Sequence, residues 1–327
     1  MEYTTLGRTG LKVSVAGLGC GGFSRLGLGT GKSETDAIAI IRAALDLGVN
    51  LFDTAAAYGT EPVLGKALAG VPRDKVVICT KAPFGISNPD SLPERADASL
   101  DRSLKELGTD YIDVYQLHGI APRVYDHALD VLAPALLRER EKGKFRWLGI
   151  TETSPGDPEH QMIQRAARDG AWDVVMVAFH MMHQNARRLV FPLTQEHRVG
   201  TLLMFAVRNI FSRSERLAET MRELADDGLV SRELADNPDP LGFLVHQGGA
   251  SSVVDAAYRF VRHEPGVDVV LFGTGDSEHL RSNIASILKP PLPEGDRARL
   301  AVLFGHLVGV GLDAPHLSRT TGRVSRG

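Results

Sequence analysis

Cysteine is nearly absent from this chain. Only Cys20 and Cys79 occur in 327 residues, far apart and outside any CxxC pattern. That excludes a disulfide framework and a structural zinc site and leaves two reduced thiols, with no metal expected. An excess of one charge is also missing: 37 Lys and Arg against 40 Asp and Glu give a formal net charge of -3, scattered without long like-charge blocks. Such a surface, with a pI near 6.4, offers no track for a phosphate backbone, so no nucleic-acid partner is expected. Long apolar runs are lacking as well. No stretch approaches the roughly 18 residues of a spanning helix, and the start "MEYTTLGRTG" has neither a basic n-region nor an apolar h-region. The expectation is a cytoplasmic protein without a membrane partner.

What the chain does contain is a repeated alternation. "SETDAIAIIRAALDLGVNLFDT" carries a capping-box pattern from Ser33 to Asp36, then Ile38, Ile41 and Leu45 at helical spacing, then Gly48 where a helix would end. The apolar run "VNLF" follows directly, as parallel strands buried on both faces require. The same order recurs with "VVICTK" after a helix near 61–69, "YIDVYQLH" after one near 92–107 and "FRWLGIT" after one near 130–141. "DVVMVAF", "GTLLMF" and "DVVLFG" follow, and "VSVAGLG" near the start completes eight strands, without a strict sequence repeat. Eight βα units predict an α/β fold, a (β/α)₈ TIM barrel. The expected organisation is a single barrel over 1–315, a long loop insertion after strand seven at 208–249 with its own helix near 215–225, and a C-terminal tail at 316–327.

Two phosphate-binding patterns compete with this reading. Gly17, Gly19 and Gly22 match G-x-G-x-x-G after an apolar strand. A dinucleotide-binding helix would have to open at the third glycine, whereas "FSRLGLGTGKS" adds Gly27, Gly29 and Gly31 first. "LGLGTGKS" approaches a P-loop, but Leu26 stands where its first glycine belongs. A flexible loop at the barrel mouth is the expected use of these glycines.

In a barrel of this kind reactive groups stand at the C-terminal ends of the strands. Strand two ends in Asp53, strand three in Lys81 and strand four in His118, with Tyr58 in the loop after strand two. Singly, each has an ordinary structural explanation as cap, snorkelling amine or satisfied core residue. Jointly, four such groups on one rim point to chemistry. A phenol titrates near ~10, and an ammonium at ~4 Å with an effective dielectric of ~20 would favour phenolate by ~4 kcal/mol, or ~3 pKa units. Lys81 would thus bring Tyr58 towards neutrality as a general acid or base, Asp53 would hold Lys81, and His118 would orient a carbonyl. There is no nucleophile–base pair and no metal triad, so proton transfer coupled to hydride transfer from a cofactor fits best.

The segments "LGRTGLKVSVAGLGCGG", "GVNLFDTAAAYG", "VVICTK", "DYIDVYQLHG", "GKFRWLGIT" and "GTGDSEHLRSNIAS" together resemble the aldo-keto reductases. The resemblance spans most of the chain. It implies a barrel binding NADP, or alternatively NAD, in an extended pose, with Asp53, Tyr58, Lys81 and His118 as a catalytic tetrad and Tyr58 as the acid. It also implies cofactor contacts from Gly21, Gly22 and Phe23. After strand five the family's Ser-Asn is replaced by Thr151 and Glu152, which puts a carboxylate near an amide donor. After strand six its glutamine is replaced by Met176. After strand seven either Met204 or Phe205 would stack on the nicotinamide. After strand eight Gly273, Thr274 and Gly275 would hold phosphate, with Asp276 opposing a 2′-phosphate, His279 or Arg281 favouring it, and Asn283 on adenine.

The implied reaction is hydride transfer between a nicotinamide and a small-molecule aldehyde or ketone. "DYIDVYQLHGI" also resembles the branch that oxidises aldoses to lactones, so an aldose 1-dehydrogenase is the alternative. From another class, a nicotinamide-nucleotide-binding regulatory subunit with little turnover would account for Glu152, Met176 and Met204. The oligomeric state is left open.

Overall fold

The computed structural model describes residues 1–82 and 93–312. The tail at 316–327 lies outside the described residues. The chain opens with a hairpin, β1 (Tyr3–Thr5) and β2 (Lys12–Ser14), paired antiparallel. Eight parallel strands follow: β3 (Ala16–Gly19), β4 (Leu51–Asp53), β5 (Val77–Lys81), β6 (Ile112–Ile120), β7 (Phe145–Glu152), β8 (Val174–Ala178), β9 (Gly200–Met204) and β10 (Val269–Phe272). They pair in chain order, and β10 closes the barrel onto β3. The fold is a (β/α)₈ barrel, and each of the eight apolar runs contributes a strand. Among the described residues no helix is long and apolar enough to cross a membrane.

The first run, "VSVAGLG", is divided. Val13 and Ser14 belong to the hairpin, and the barrel strand starts at Ala16. The hairpin closes the N-terminal end of the barrel: Leu6, Leu11 and Val13 pack onto the inward residues Leu51, Val77, Val114, Val174, Leu202 and Val269. Close approach is possible because both partners at the contact are glycines. A Cβ on Gly7 would lie 2.2 Å from the backbone nitrogen of Gly200. Arg8 fastens the hairpin further, donating to Asp173 at 3.1 Å and to the carbonyls of Gly170 and Trp172 at 3.0 and 2.9 Å.

The same end shows a regularity invisible as a sequence repeat. Every second barrel strand is preceded or opened by an Asn or Asp whose side-chain oxygen accepts a backbone N–H, from the hairpin strand β2 in the first case and from the preceding barrel strand in the others. Asn50 accepts from Ser14, Asp113 from Ile78, Asp173 from Leu148 and Asp268 from Thr201, at 2.6, 2.9, 3.2 and 3.0 Å. The backbone donors left over where strands begin are thereby satisfied without water.

Around the barrel, the helix Glu34–Asp46 starts with Ser33 and Asp36 in a complete capping box, and Gly48 follows its end at a positive φ of 86°. Helices Glu61–Leu68 and Pro93–Leu107 lie where the periodicity puts them. The segment expected as a helix from 130 starts with a π turn, Ala128–Leu132, before the α-helix Ala133–Glu141. The insertion after β9 is more ordered than a loop with one helix. It holds Asn209–Ser212, Ser214–Asp226 and Arg232–Asp236, and Leu217, Met221 and Leu224 face inward. Its charge-rich sequence masks an amphipathic stripe. The glycine-rich segment after β3 is likewise anchored: Leu26 is fully buried, and the chain turns through Arg25–Thr30 around it.

Candidate active site

Period-two alternation turns Asp53, Lys81 and His118 into the C-terminal mouth of the barrel from the ends of β4, β5 and β6. Lys81 is fully buried. Its ammonium donates to both oxygens of Asp53 at 2.8 and 2.7 Å and to the carbonyl of Thr54 at 2.8 Å, so all three protons have acceptors. Burial works to lower the Lys81 pKa, but Asp53 and Tyr58 outweigh it and the amine is held above its ordinary value. For Asp53, burial pushes the carboxyl up against the pull of Lys81. Two-point contact with the ammonium keeps the pair ionic.

Tyr58 stands in the short 3₁₀ turn Ala56–Tyr58 after β4. Its hydroxyl lies 3.3 Å from His118 Nε2, with the two rings edge to face at 5.5 Å, and Lys81 Nζ lies 5.3 Å from the phenol ring centre. The four residues are therefore brought together. One expectation is corrected: the Tyr58 pKa is raised, not lowered, because burial pushes the phenol up by more than the Lys81 charge pulls it down. Lys81 spends its protons on Asp53 and Thr54, and the hydrogen-bond partner of the phenol is His118.

Gly21 has a definite place. A Cβ there would lie 2.4 Å from the Tyr58 ring, so only glycine leaves the phenol where it is. Gly22 has a positive φ of 73° with open space beside it, and Phe23 is half exposed at the mouth. Thr151 points inward, its hydroxyl oxygen accepting from Gly119 N at 2.7 Å.

Glu152, the next residue, points the other way. Its carboxylate accepts from Ala178 N at 2.8 Å and meets His160 Nδ1 at 2.8 Å, so it does not stand before an amide at the mouth. Strand alternation decides this: with Thr151 inward, its neighbour must face outward. Met176 and Met204 belong to the cluster that fills the barrel interior. Phe205, at a positive φ of 71°, lies under the Arg208 guanidinium at 4.0 Å, and Arg208 is also 5.8 Å from the Phe23 ring.

After β10, Asp276 caps the helix Ser277–Ile287, accepting from Glu278 N and His279 N at 2.8 and 3.0 Å. These two N–H bonds hold its carboxyl below the ordinary value. Thr274 supports the turn by accepting from Asp276 N at 3.0 Å. Gly273, His279 and Arg281 are exposed and Asn283 is half-buried along this edge. Gly275 meets the segment after β3 so closely that a Cβ would lie 2.3 Å from Gly27. Lys32 crosses the same junction, donating to Gly275 O at 2.6 Å and lying 4.0 Å from Asp276. Sequence reasoning passed over Lys32; its signal was the lysine of "GTGKS", set aside with the rejected P-loop. Glycine backbone and a cation are thereby brought together where the segments after β3 and β10 meet.

A family model described as "Aldo/keto reductase family" matches residues 17–303. The chain is 29% identical over 292 residues to the aldo-keto reductase YhdN of Bacillus subtilis (strain 168), covering 84% of this chain and 85% of that one. It is 40% identical over 157 residues to L-galactose dehydrogenase of Arabidopsis thaliana, a match spanning 46% of this chain and about half, 48%, of that relative. In three dimensions it resembles the holo form of the aldo-keto reductase AKR11C1 of Bacillus halodurans, with a TM-score of 0.70 and 24% identity over 93% of this chain and 96% of that one.

Proposed function

This chain belongs to the aldo/keto reductase family of NAD(P)-dependent oxidoreductases, and from that premise we propose that it reduces an aldehyde or ketone with Tyr58 as the proton donor and NADP as the preferred cofactor. The observation that carries the reading is the contact of the Tyr58 hydroxyl with His118 at 3.3 Å beside a Lys81 ammonium locked onto Asp53. When bound, the nicotinamide supplies the hydride. The proton leaves Tyr58 Oη for the carbonyl oxygen. Nearby Lys81 stabilises the phenolate left behind, and its own attachment to Asp53 fixes where that charge is offered. His118 Nε2 fixes the direction of the hydroxyl and of a carbonyl oxygen bound against it. Support for NADP comes from Lys32 at the junction of the segments after β3 and β10, with His279 and Arg281 on the following helix.

A second reading has its own observation. The likeness to L-galactose dehydrogenase favours the same transfer run backwards on a sugar, oxidising an aldose at C1 to its lactone. Both readings are tested by following NADPH or NADH consumption with a panel of aldehydes and ketones, and NADP or NAD reduction with a panel of aldoses. Tyr58→Phe is expected to lose on the order of 10²- to 10⁴-fold in rate while still binding cofactor. Wild-type protein that binds NADPH tightly and turns over nothing would put a nucleotide-binding regulatory subunit in place of the enzyme.

The raised Tyr58 pKa sets the pH dependence. A higher pKa keeps the phenol protonated to higher pH. Carbonyl reduction, which needs the phenol, is therefore expected to stay flat through neutrality, while alcohol oxidation, which needs the phenolate, rises with pH. Initial rates in both directions from pH 6 to 10 check this, and an oxidation rate that falls with pH contradicts it.

A further inference from the structure

A second group of buried titratable side chains lies behind the rim, at the ends of β7 and β8. Glu152, His160, His183 and Asn185 are all buried. The hydrogen-bond directions locate the protons. Asn185 Nδ2 donates to Pro158 O at 2.8 Å, which turns Oδ1 towards His160 Nε2 at 3.1 Å, so Nε2 carries a proton. Nδ1 faces Glu152 Oε2 at 2.8 Å, while Oε1 of the same carboxylate accepts from Ala178 N at 2.8 Å and lies 3.5 Å from the Ser154 hydroxyl. Both imidazole nitrogens thus face acceptors.

We propose that Glu152 and His160 form a buried carboxylate–imidazolium pair that positions Thr151 and the ends of β6 to β8 for hydride transfer. The role in hydride transfer rests on the reading given above; the charge state of the pair does not. The β7–β8 ladder ends at Thr151 opposite Met176. Glu152 carries the junction two residues further by taking the N–H of Ala178. Thr151, one residue back and on the other face, receives Gly119 N, the residue after His118. A shift of Glu152 is therefore felt by Thr151 directly and by His118 through β6.

The other groups around His160 agree with a charged ring. Burial opposes its charge, but Glu152 outweighs it, with Asn185 and Asp157 adding to the effect, and His160 is held above its ordinary value. His183, from the loop after β8, has its ring centre 5.0 Å away. Burial first and the neighbouring His160 second push His183 down to about 3, and as a neutral ring it accepts from Gly309 N at 3.1 Å. His160 itself is held at a positive φ of 56°, in front of the helix Gln161–Asp169. For a residue other than glycine that is a strained conformation, kept only because the surrounding bonds fix it.

The test begins with nitrogen-resolved NMR of the imidazole side chains in the wild-type enzyme, with His160 assigned by loss of its signal in His160→Gln. Both ring nitrogens of His160 are expected to be protonated at pH 7 and to stay so at pH 8. A neutral ring with one bare nitrogen overturns the pair. Kinetics then examine positioning. Glu152→Gln, or His160→Gln if the first variant does not fold, is expected to lower kcat by about tenfold or more, with a smaller change in KM for the carbonyl or sugar. A folded variant with wild-type kcat overturns the positioning role. If wild type turns over no substrate, the reading of the reaction fails instead, and the His160 spectrum still decides the charge state.

Discussion

Carboxylates stand at both ends of this barrel and meet different partners. At the N-terminal end Asp113, Asp173 and Asp268 accept backbone N–H groups from neighbouring strands, and arginines cover two of them: Arg73 and Arg146 on Asp113, Arg8 and Arg140 on Asp173. At the C-terminal end Asp53 takes a buried side-chain ammonium, with Gln116 at 3.5 Å as its other neighbour. A carboxylate satisfied by backbone stitches strands together and stabilises the fold. A carboxylate satisfied by a side-chain cation fixes that cation in space, and whatever lies beside the cation feels its charge. Aspartate at the two ends of one barrel thus fixes either backbone or a side-chain cation, according to its donor.

Substitution can break that comparison, and the largest effect is expected at the C-terminal end. Lys81→Met leaves Asp53 buried without its partner, which should cost about 3–5 kcal/mol in urea unfolding and on the order of 10²- to 10⁴-fold in turnover. A folded variant with wild-type rates would show that the ammonium plays no part in the reaction. Next comes Asp113→Ala. It removes the acceptor of Ile78 N and the partner of two arginines at a position only 1% exposed, at a cost of roughly 3 kcal/mol. Turnover at 25 °C should stay within a few-fold of wild type, and a loss comparable to that of Lys81→Met would erase the distinction between the ends.

The smallest effect is expected from Asp268, and it sharpens the comparison through pH. Burial raises its pKa from 3.8 to about 6, against the pull of the N–H groups of Thr201 and Gly7. Between those two values the folded protein holds a proton that the unfolded chain releases, so stability falls as pH rises through this window. Asp268→Asn should flatten that slope in urea midpoints measured from pH 4 to 7, and an unchanged slope would assign the pH dependence elsewhere.

The tetrad was legible because each of its strands announces itself as an apolar run, and a polar residue closing such a run in a barrel has one place to go. Tyr58 was legible from its distance after Asp53. The hairpin was not, because "VSVAGLG" reads as one strand. Only the turn at Val15, where Ser14 Oγ donates to Ala16 O at 2.8 Å, divides it. The direction of Glu152 was hidden for a related reason: alternation is certain within a strand, but which residue faces inward depends on register with β6 and β8. Lys32 and His160 make their contacts across loops that meet only in space.

The sequence by itself determined the barrel, the order of its strands and the four polar residues at its mouth, since periodicity, caps and glycine breaks are local properties of the chain. Tertiary structure alone decided which partner each charge receives. Burial outweighs Lys81 at the Tyr58 phenol, Asp276 becomes a helix cap, and Glu152 turns from the mouth to His160. Each of these outcomes depends on distances between segments far apart in sequence, and electrostatic and hydrogen-bond energies change steeply over those few ångströms.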